Sequence, residues 1–143
     1  MLGDNILRAD LEGDKVLKLY SYNHGNIPFS AENFVLATGS FFSKGLIATF
    51  DRIYEPVFDL PVPHADGREQ WYNLDFFATQ AYQSMGVQTD GSFRAVSRQG
   101  VMENLYAVGA VLDGFNALKE GCGAGVSILT ALEAGRQIMA KSK

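Results

Sequence analysis

The strongest constraint on this chain is where its small residues fall. Fifteen of the 143 residues are glycine, and small residues cluster at three junctions. Ala37-Thr38-Gly39 follows the apolar run from Phe34, Val108-Gly109-Ala110 continues the run from Leu105, and Gly121-Cys122-Gly123-Ala124-Gly125 precedes a helical pattern. A continuous apolar run bounded by turn signals is the sequence of a strand covered on both faces. Phe34–Ala37 and Leu105–Val111 are the two candidates. In open α/β sheets ligands lie at the carboxyl ends of such strands. Small residues ahead of a helix let a ligand or another backbone approach its unsatisfied N–H groups, where the dipole favours negative charge. Taken alone, the 121–125 cluster suits tight packing as well as an anion site; three such junctions in one chain favour a ligand.

Neither standard phosphate loop is present. A P-loop needs Gly-Lys-Ser/Thr four residues after its first glycine, and no lysine stands there. A dinucleotide fingerprint counted from Gly121 meets Val126 where glycine is required, and one counted from Gly123 meets Ile128.

Around these junctions the chain reads as mixed α and β. Leu7, Ala9 and Leu11 alternate with charged residues, Val16–Tyr22 resumes an extended pattern after a turn at residues 12–15, and Ile27-Pro28-Phe29 can join only at an edge because proline lacks an N–H. This predicts a three-stranded antiparallel meander over about residues 5–30. Arg68–Met85 reads as a helix or helical loop, and Gly86–Gly91 as a short strand and turn. Ala124–Ala140 is helical, with Ile128, Leu132, Gly135 and Met139 on one face. Lys141 to Lys143 place cations where the helix dipole favours them.

Length and composition suit one globular domain with a core, since 47% of residues are apolar and 20% charged. The net charge of −4 disfavours an electrostatic nucleic-acid binder. No apolar stretch approaches the ~20 residues of a membrane-spanning helix, and residues 1–15 show no secretion signal. One cysteine, Cys122, allows no internal disulfide, which fits a reducing cytoplasm. Its place ahead of a helix could lower its pKa, although a lone cysteine is more often a packed residue. His24 and His64 lack neighbours at metal-ligand spacing, so no metal site is expected. Lys44 and Arg68 are weak candidates to meet a phosphate. Trp71, Tyr72, Phe76 and Phe77 suit the core better than a binding surface. No catalytic residue can be named from the pattern.

The stretches FVLATGSFFSKGL, EQWYNLDFF, ENLYAVGAVLDGF and EGCGAGVSILTALEAGRQI resemble the two-dinucleotide-type flavoproteins. More narrowly, they are similar to the C-terminal third of the B-subunit family of anaerobic glycerol-3-phosphate dehydrogenases. The resemblance implies the C-terminal part of a Rossmann-like FAD/NAD(P)-binding fold, a single domain over 1–143 lacking the N-terminal GxGxxG segment, with flavin-binding elements at about 34–40 and 105–140. It implies FAD or FMN as cofactor, with Ala37, Thr38, Gly39, Gly109, Ala110, Gly121, Gly123 and Gly125 lining it. Ala110 stands where many such proteins carry an acidic residue, so that hydrogen bond is not expected here. The implied activity is oxidation of sn-glycerol 3-phosphate to dihydroxyacetone phosphate, with electrons passed to quinone through iron–sulfur partners. The implied partners are a catalytic A subunit and a membrane-anchoring iron–sulfur C subunit, and the implied location is the cytoplasm or the inner face of the plasma membrane. A non-catalytic interaction or electron-relay module, or a fumarate-reductase-like flavoprotein, is the alternative.

Overall fold

The computed structural model describes residues 4–141, so Ser142 and Lys143 of the expected cationic helix end lie outside them. Strands β1 (Ile6–Glu12) and β2 (Lys15–Ser21) form an antiparallel hairpin. Gly13 opens its two-residue turn at φ +60°, the position at which a type II′ turn calls for glycine. The expected third strand of the meander is reduced to one bridge, in which Leu19 and Phe29 exchange N–H···O bonds of 2.9 and 2.8 Å. Pro28 has no N–H with which to extend it.

Strand β3 (Phe34–Leu36) leads into a tight loop, followed by a small antiparallel sheet of β4 (Ile47–Ala48), β5 (Ile53–Glu55) and β6 (Leu60–Pro61). Strands β7 (Arg94–Ser97) and β8 (Gly100–Ala107) make a second hairpin. Strand β8 also pairs in parallel with β3, Phe34 to Leu105 and Leu36 to Ala107, giving the central order β3-β8-β7. The sequence extends the late strand to Val111, but β8 stops at Ala107. Gly109 takes φ +73° and opens a 3₁₀ turn over Gly109–Val111, which a strand cannot accommodate.

The segment 68–85 is not one helix. It holds two short 3₁₀ turns, Arg68–Gln70 and Ala81–Ser84, separated by a loop that side chains tie down. The Asn73 and Asp75 side-chain oxygens accept from the Asp75 and Phe77 N–H groups, while Gln80 accepts from Asn73 N and donates to the carbonyls of Asp75 and Ala78. Such local bonds compete with helical ones. The expected strand at 86–91 survives as two isolated bridges, Val87 with Leu112 and Thr89 with Ala95.

Helix α1 (Ala117–Glu120) is a single turn capped by Asn116, whose side chain accepts from Lys119 N at 3.0 Å. Helix α2 (Gly123–Lys141) ends the described chain, and Lys141 Nζ donates to the Glu103 carbonyl.

The main core lies on one face of the central sheet, where Leu36, Leu105 and Ala107 meet Val16, Leu46, Leu60, Trp71 and Val111. Asn104 fastens the first hairpin to this sheet: its amide oxygen accepts from Val16 N at 2.8 Å, and its nitrogen donates to the carbonyls of Val16 and Glu32. Helix α2 covers the other face, packing Ala134 and Ile138 against Tyr106 and Val108.

One burial expectation fails here: Val35, in register with buried Tyr106, is 52% exposed, so β3 is covered on one face only. In α2 the buried residues are Thr130 and Ala134, and the apolar face of Ile128, Leu132 and Met139 is 61%, 56% and 64% exposed.

Candidate functional site

Two of the three small-residue junctions meet through the parallel pairing of β3 and β8. The Val108 N–H donates to the Leu36 carbonyl at 3.0 Å, which sets Ala37-Thr38-Gly39 beside Gly109-Ala110. Ala37 and Thr38 are exposed and Gly39 and Ala110 half-buried, whereas Gly109 is buried.

The loop after β3 is held by close backbone approach. Gly39 has φ +76°, Gly45 N donates to the Ser40 carbonyl at 3.0 Å, and Lys44 N donates to that of Phe41. Gly45 is buried with no room for a side chain: a Cβ would run into the Gly39 carbonyl oxygen and sit 2.8 Å from the carbonyl carbons of Thr38 and Gly39. The loop is thus pressed onto the strand-end peptides. Sequence reading passed over Gly45, because nothing local distinguishes a glycine needed for a close approach six residues back.

The third junction joins through α2. Gly109 N–H donates to the Thr130 hydroxyl at 3.0 Å, and a Cβ on Gly109 would lie 3.2 Å from Ser127 Oγ. The Ser127 hydroxyl in turn donates to the Gly123 carbonyl at 2.9 Å. The β8 end therefore rests on the second turn of α2, one turn below the glycines. Gly121 caps α1 at φ +63°, which by itself accounts for a glycine there. Gly123 packs against Ala117, with 3.4 Å from an added Cβ to that side chain, while Gly125 has open space at its Cβ position.

The first turn of α2 carries no acidic side chain of its own; the carboxylate of Glu120 takes the Cys122 thiol just before the helix start. Between the loop after β3 and α1 lies a cleft of about 180 Å³, lined by Ser40, Phe41, Phe42, Tyr82, Gln83, Ala117 and Leu118. None of the eight residues expected to line a cofactor lines this cleft; the feature that suits a planar, anionic cofactor is the first turn of α2, where the Cβ position of Gly125 is open. Sequence reading also missed Thr130, whose isolated hydroxyl gives no hint that it bridges two elements.

Other weighed residues take structural places. The Cys122 thiol donates to Glu120 at 3.6 Å; burial first, then the Glu120 charge, push its pKa up, which is opposite to activation. The His64 ring nitrogen Nδ1 contacts the Val62 carbonyl at 2.6 Å, and the ring stands edge-on to Trp71. His24 gathers Ser21 and Asp4, yet both meet the same nitrogen, Nδ1, at 2.8 and 3.2 Å. A relay needs the two on opposite ring nitrogens, so this is a clasp on the turn after β2.

Trp71 is in the core, with its indole N–H on the Ala65 carbonyl. Tyr72, Phe76 and Phe77 are exposed instead of buried, a correction to their expected core role. Arg68 lies over the Phe50 ring, and Lys44 is exposed at φ +62°. Among the described residues no group of three His, Cys, Asp or Glu side chains could hold a metal ion, and no helix is long and apolar enough to cross a membrane.

Comparison with known proteins gives these elements a family. Residues 1–126 match the model of the FAD binding domain family. Over nearly its whole length the chain is also similar to proteins named as the B subunit of anaerobic glycerol-3-phosphate dehydrogenase. It is 48% identical to that of Yersinia enterocolitica serotype O:8 over 139 residues, covering 97% of this chain and 33% of the relative. It is 45% identical to that of Pectobacterium atrosepticum over 139 residues, again 97% and 33%. It is 44% identical to that of Actinobacillus succinogenes over 147 residues, 99% and 34%. The chain thus spans about a third of the length of these curated relatives. No solved structure matches. The family match narrows the expected choice of FAD or FMN to FAD. That match, over most of its length, shows that this chain belongs to the FAD binding domain family.

Proposed function

We propose that the chain is the C-terminal third of a flavoprotein subunit that takes part in oxidising sn-glycerol 3-phosphate to dihydroxyacetone phosphate. The observation that carries the reading is the 43–48% identity with proteins named as the B subunit of that dehydrogenase, supported by the pairing that sets Ala37–Gly39 beside the β8 end and by the bond from Gly109 to Thr130 of α2. The chemistry that FAD would supply when bound is acceptance of hydride from the C2 carbinol, with the hydroxyl proton passing to a base.

The chain's own residues do the positioning. Ala37, Thr38 and Gly39, with Ala110, present backbone to the cofactor at the strand ends, while Gly109, buried and bonded to Thr130 and Leu112, sets the turn that places Ala110. Gly123 and Gly125 leave the first turn of α2 open, and its N–H dipoles stabilise negative charge that develops on reduction. Gly121 sets the angle at which that turn begins.

Two open surfaces support the fragment reading. The outer edge of β3 beside Val35 has no strand partner among the described residues, and α2 turns Ile128, Leu129 and Leu132 outward. The segment that would hold the cofactor's pyrophosphate is absent from the 143 residues, since no GxGxxG occurs in them. Electron transfer through iron–sulfur partners to quinone, association with the A and C subunits, and a place in the cytoplasm at the inner membrane face belong to the same proposal.

Exposed Phe42, Phe50, Leu74, Phe76 and Phe77 favour one second reading, a non-catalytic subunit-interaction module. Anaerobic reconstitution of the full-length protein with FAD separates the two. Bleaching of the flavin on adding glycerol 3-phosphate supports the dehydrogenase. Failure to take up flavin, with partner binding retained, supports the module, and bleaching only by other substrates points to a related reductase. Purified alone, the chain is expected to hold little flavin, and stoichiometric flavin absorbance would contradict the fragment reading.

A further inference from the structure

We propose that Thr130 is a positioning residue of the flavin site, an inference that rests on the flavin reading above. Thr130 is buried in the middle of α2, and its hydroxyl uses both of its capacities. It donates to the Val126 carbonyl at 2.7 Å and accepts the Gly109 N–H at 3.0 Å. The first bond is ordinary, since a helical threonine readily reaches the carbonyl four residues back. The second leaves the helix and takes hold of a backbone group that has just left β8.

Gly109 is held at φ +73°, with its Cα against Ser127. Its N–H is buried and points towards the helix, so it is unavailable to a ligand. This hydroxyl therefore ties the strand end to the N-terminal half of α2, ahead of the Ala134 and Ile138 packing that seats the rest of the helix, and so helps set the angle between the elements that carry Gly109-Ala110 and Gly123–Gly125. Turning that angle moves the helix N–H groups relative to the strand ends, and thus the field at the cofactor's reducible ring. The Thr130 methyl is dispensable for this role; the hydroxyl is not.

The test uses the full-length protein assembled with its partners and loaded with FAD. Thr130→Val is expected to weaken FAD binding roughly 2- to 30-fold, the range for a residue that modulates a site it does not touch, and to shift the flavin reduction potential; Thr130→Ser is expected to restore both. Wild-type FAD affinity and potential in Thr130→Val, with only a lower unfolding temperature, would overturn the proposal and leave Thr130 a purely structural residue. A second measurement stands apart from the folding of any variant. In the wild-type protein the Gly109 amide is expected to resist hydrogen exchange with and without FAD, and rapid exchange would overturn the proposal. A wild-type protein that takes up no FAD defeats the flavin reading itself, an outcome distinct from a flavin-loaded protein indifferent to Thr130.

Discussion

Replacing Gly125 with alanine should raise stability and lower flavin affinity together. Gly125 is the third residue of α2, and a Cβ built on it meets nothing within 4 Å. Alanine there removes the conformational entropy that glycine loses in a helix, a gain of up to about 1 kcal/mol. For a chain of this size that corresponds to roughly 2–4 °C in unfolding temperature. The space the new methyl occupies is open only while no ligand fills it. If FAD packs against the first turn of α2, the methyl overpacks the site at a cost of about 1–3 kcal/mol, a loss of roughly 5- to 150-fold in affinity. Thermal unfolding of the unliganded protein and a flavin titration of the full-length protein read the two effects separately. A gain in stability with unchanged FAD affinity would refute the placement of the cofactor at this turn. A loss of stability would refute the description of α2 itself.

Three further outcomes follow from the packing and the charges. Gly45→Ala forces a Cβ into the Thr38 and Gly39 peptides, so it should cost about 1–3 kcal/mol and weaken flavin binding as the strand end shifts; an unaltered unfolding temperature would contradict the close approach. Asn104→Ala leaves the Val16 N–H and the Val16 and Glu32 carbonyls without their partner, a loss of roughly 2–4 kcal/mol visible in denaturant unfolding. Glu55 lies buried, and desolvation raises its pKa from 4.5 even though the N–H groups of Val57 and Phe58 donate to the carboxylate. Because the folded form holds this proton more tightly than the unfolded chain, its contribution is fullest below the unfolded value and is lost as pH rises through the raised folded one. The stability of wild type relative to Glu55→Gln should therefore fall as pH increases across that window, and a constant or rising difference would contradict it.

The turns that end the two strands of the candidate site were legible because their requirements are local. Gly39 and Gly109 adopt positive φ at the ends of short apolar runs, and both glycine and apolar runs announce themselves in sequence. The covered face of α2 was not legible. Hydropathy favoured the Ile128, Leu132 and Met139 stripe, but the sheet takes the small residues Thr130 and Ala134, which allow close approach and carry little apolar signal. That the apolar stripe points outward agrees with a chain representing a third of its relatives' length. The 68–85 segment was misread for a different reason. Asn73, Asp75 and Gln80 satisfy backbone groups through side chains, and residue periodicity is blind to those bonds. Gly45 and Thr130 act on Gly39 and Gly109, six and twenty-one residues away, so their roles appear only once the chain is folded.

The central claim is that the start of α2 holds the flavin, and flavin titration of Gly123→Asp in the full-length protein tests it most directly. An added Cβ lies 3.4 Å from the Ala117 side chain, ordinary contact that leaves the fold intact, while the carboxylate opposes both the flavin ring and the negative charge of its reduced form. A large loss of FAD affinity and a lowered reduction potential are expected in a protein that still folds. Unchanged affinity and potential would remove this turn from the site.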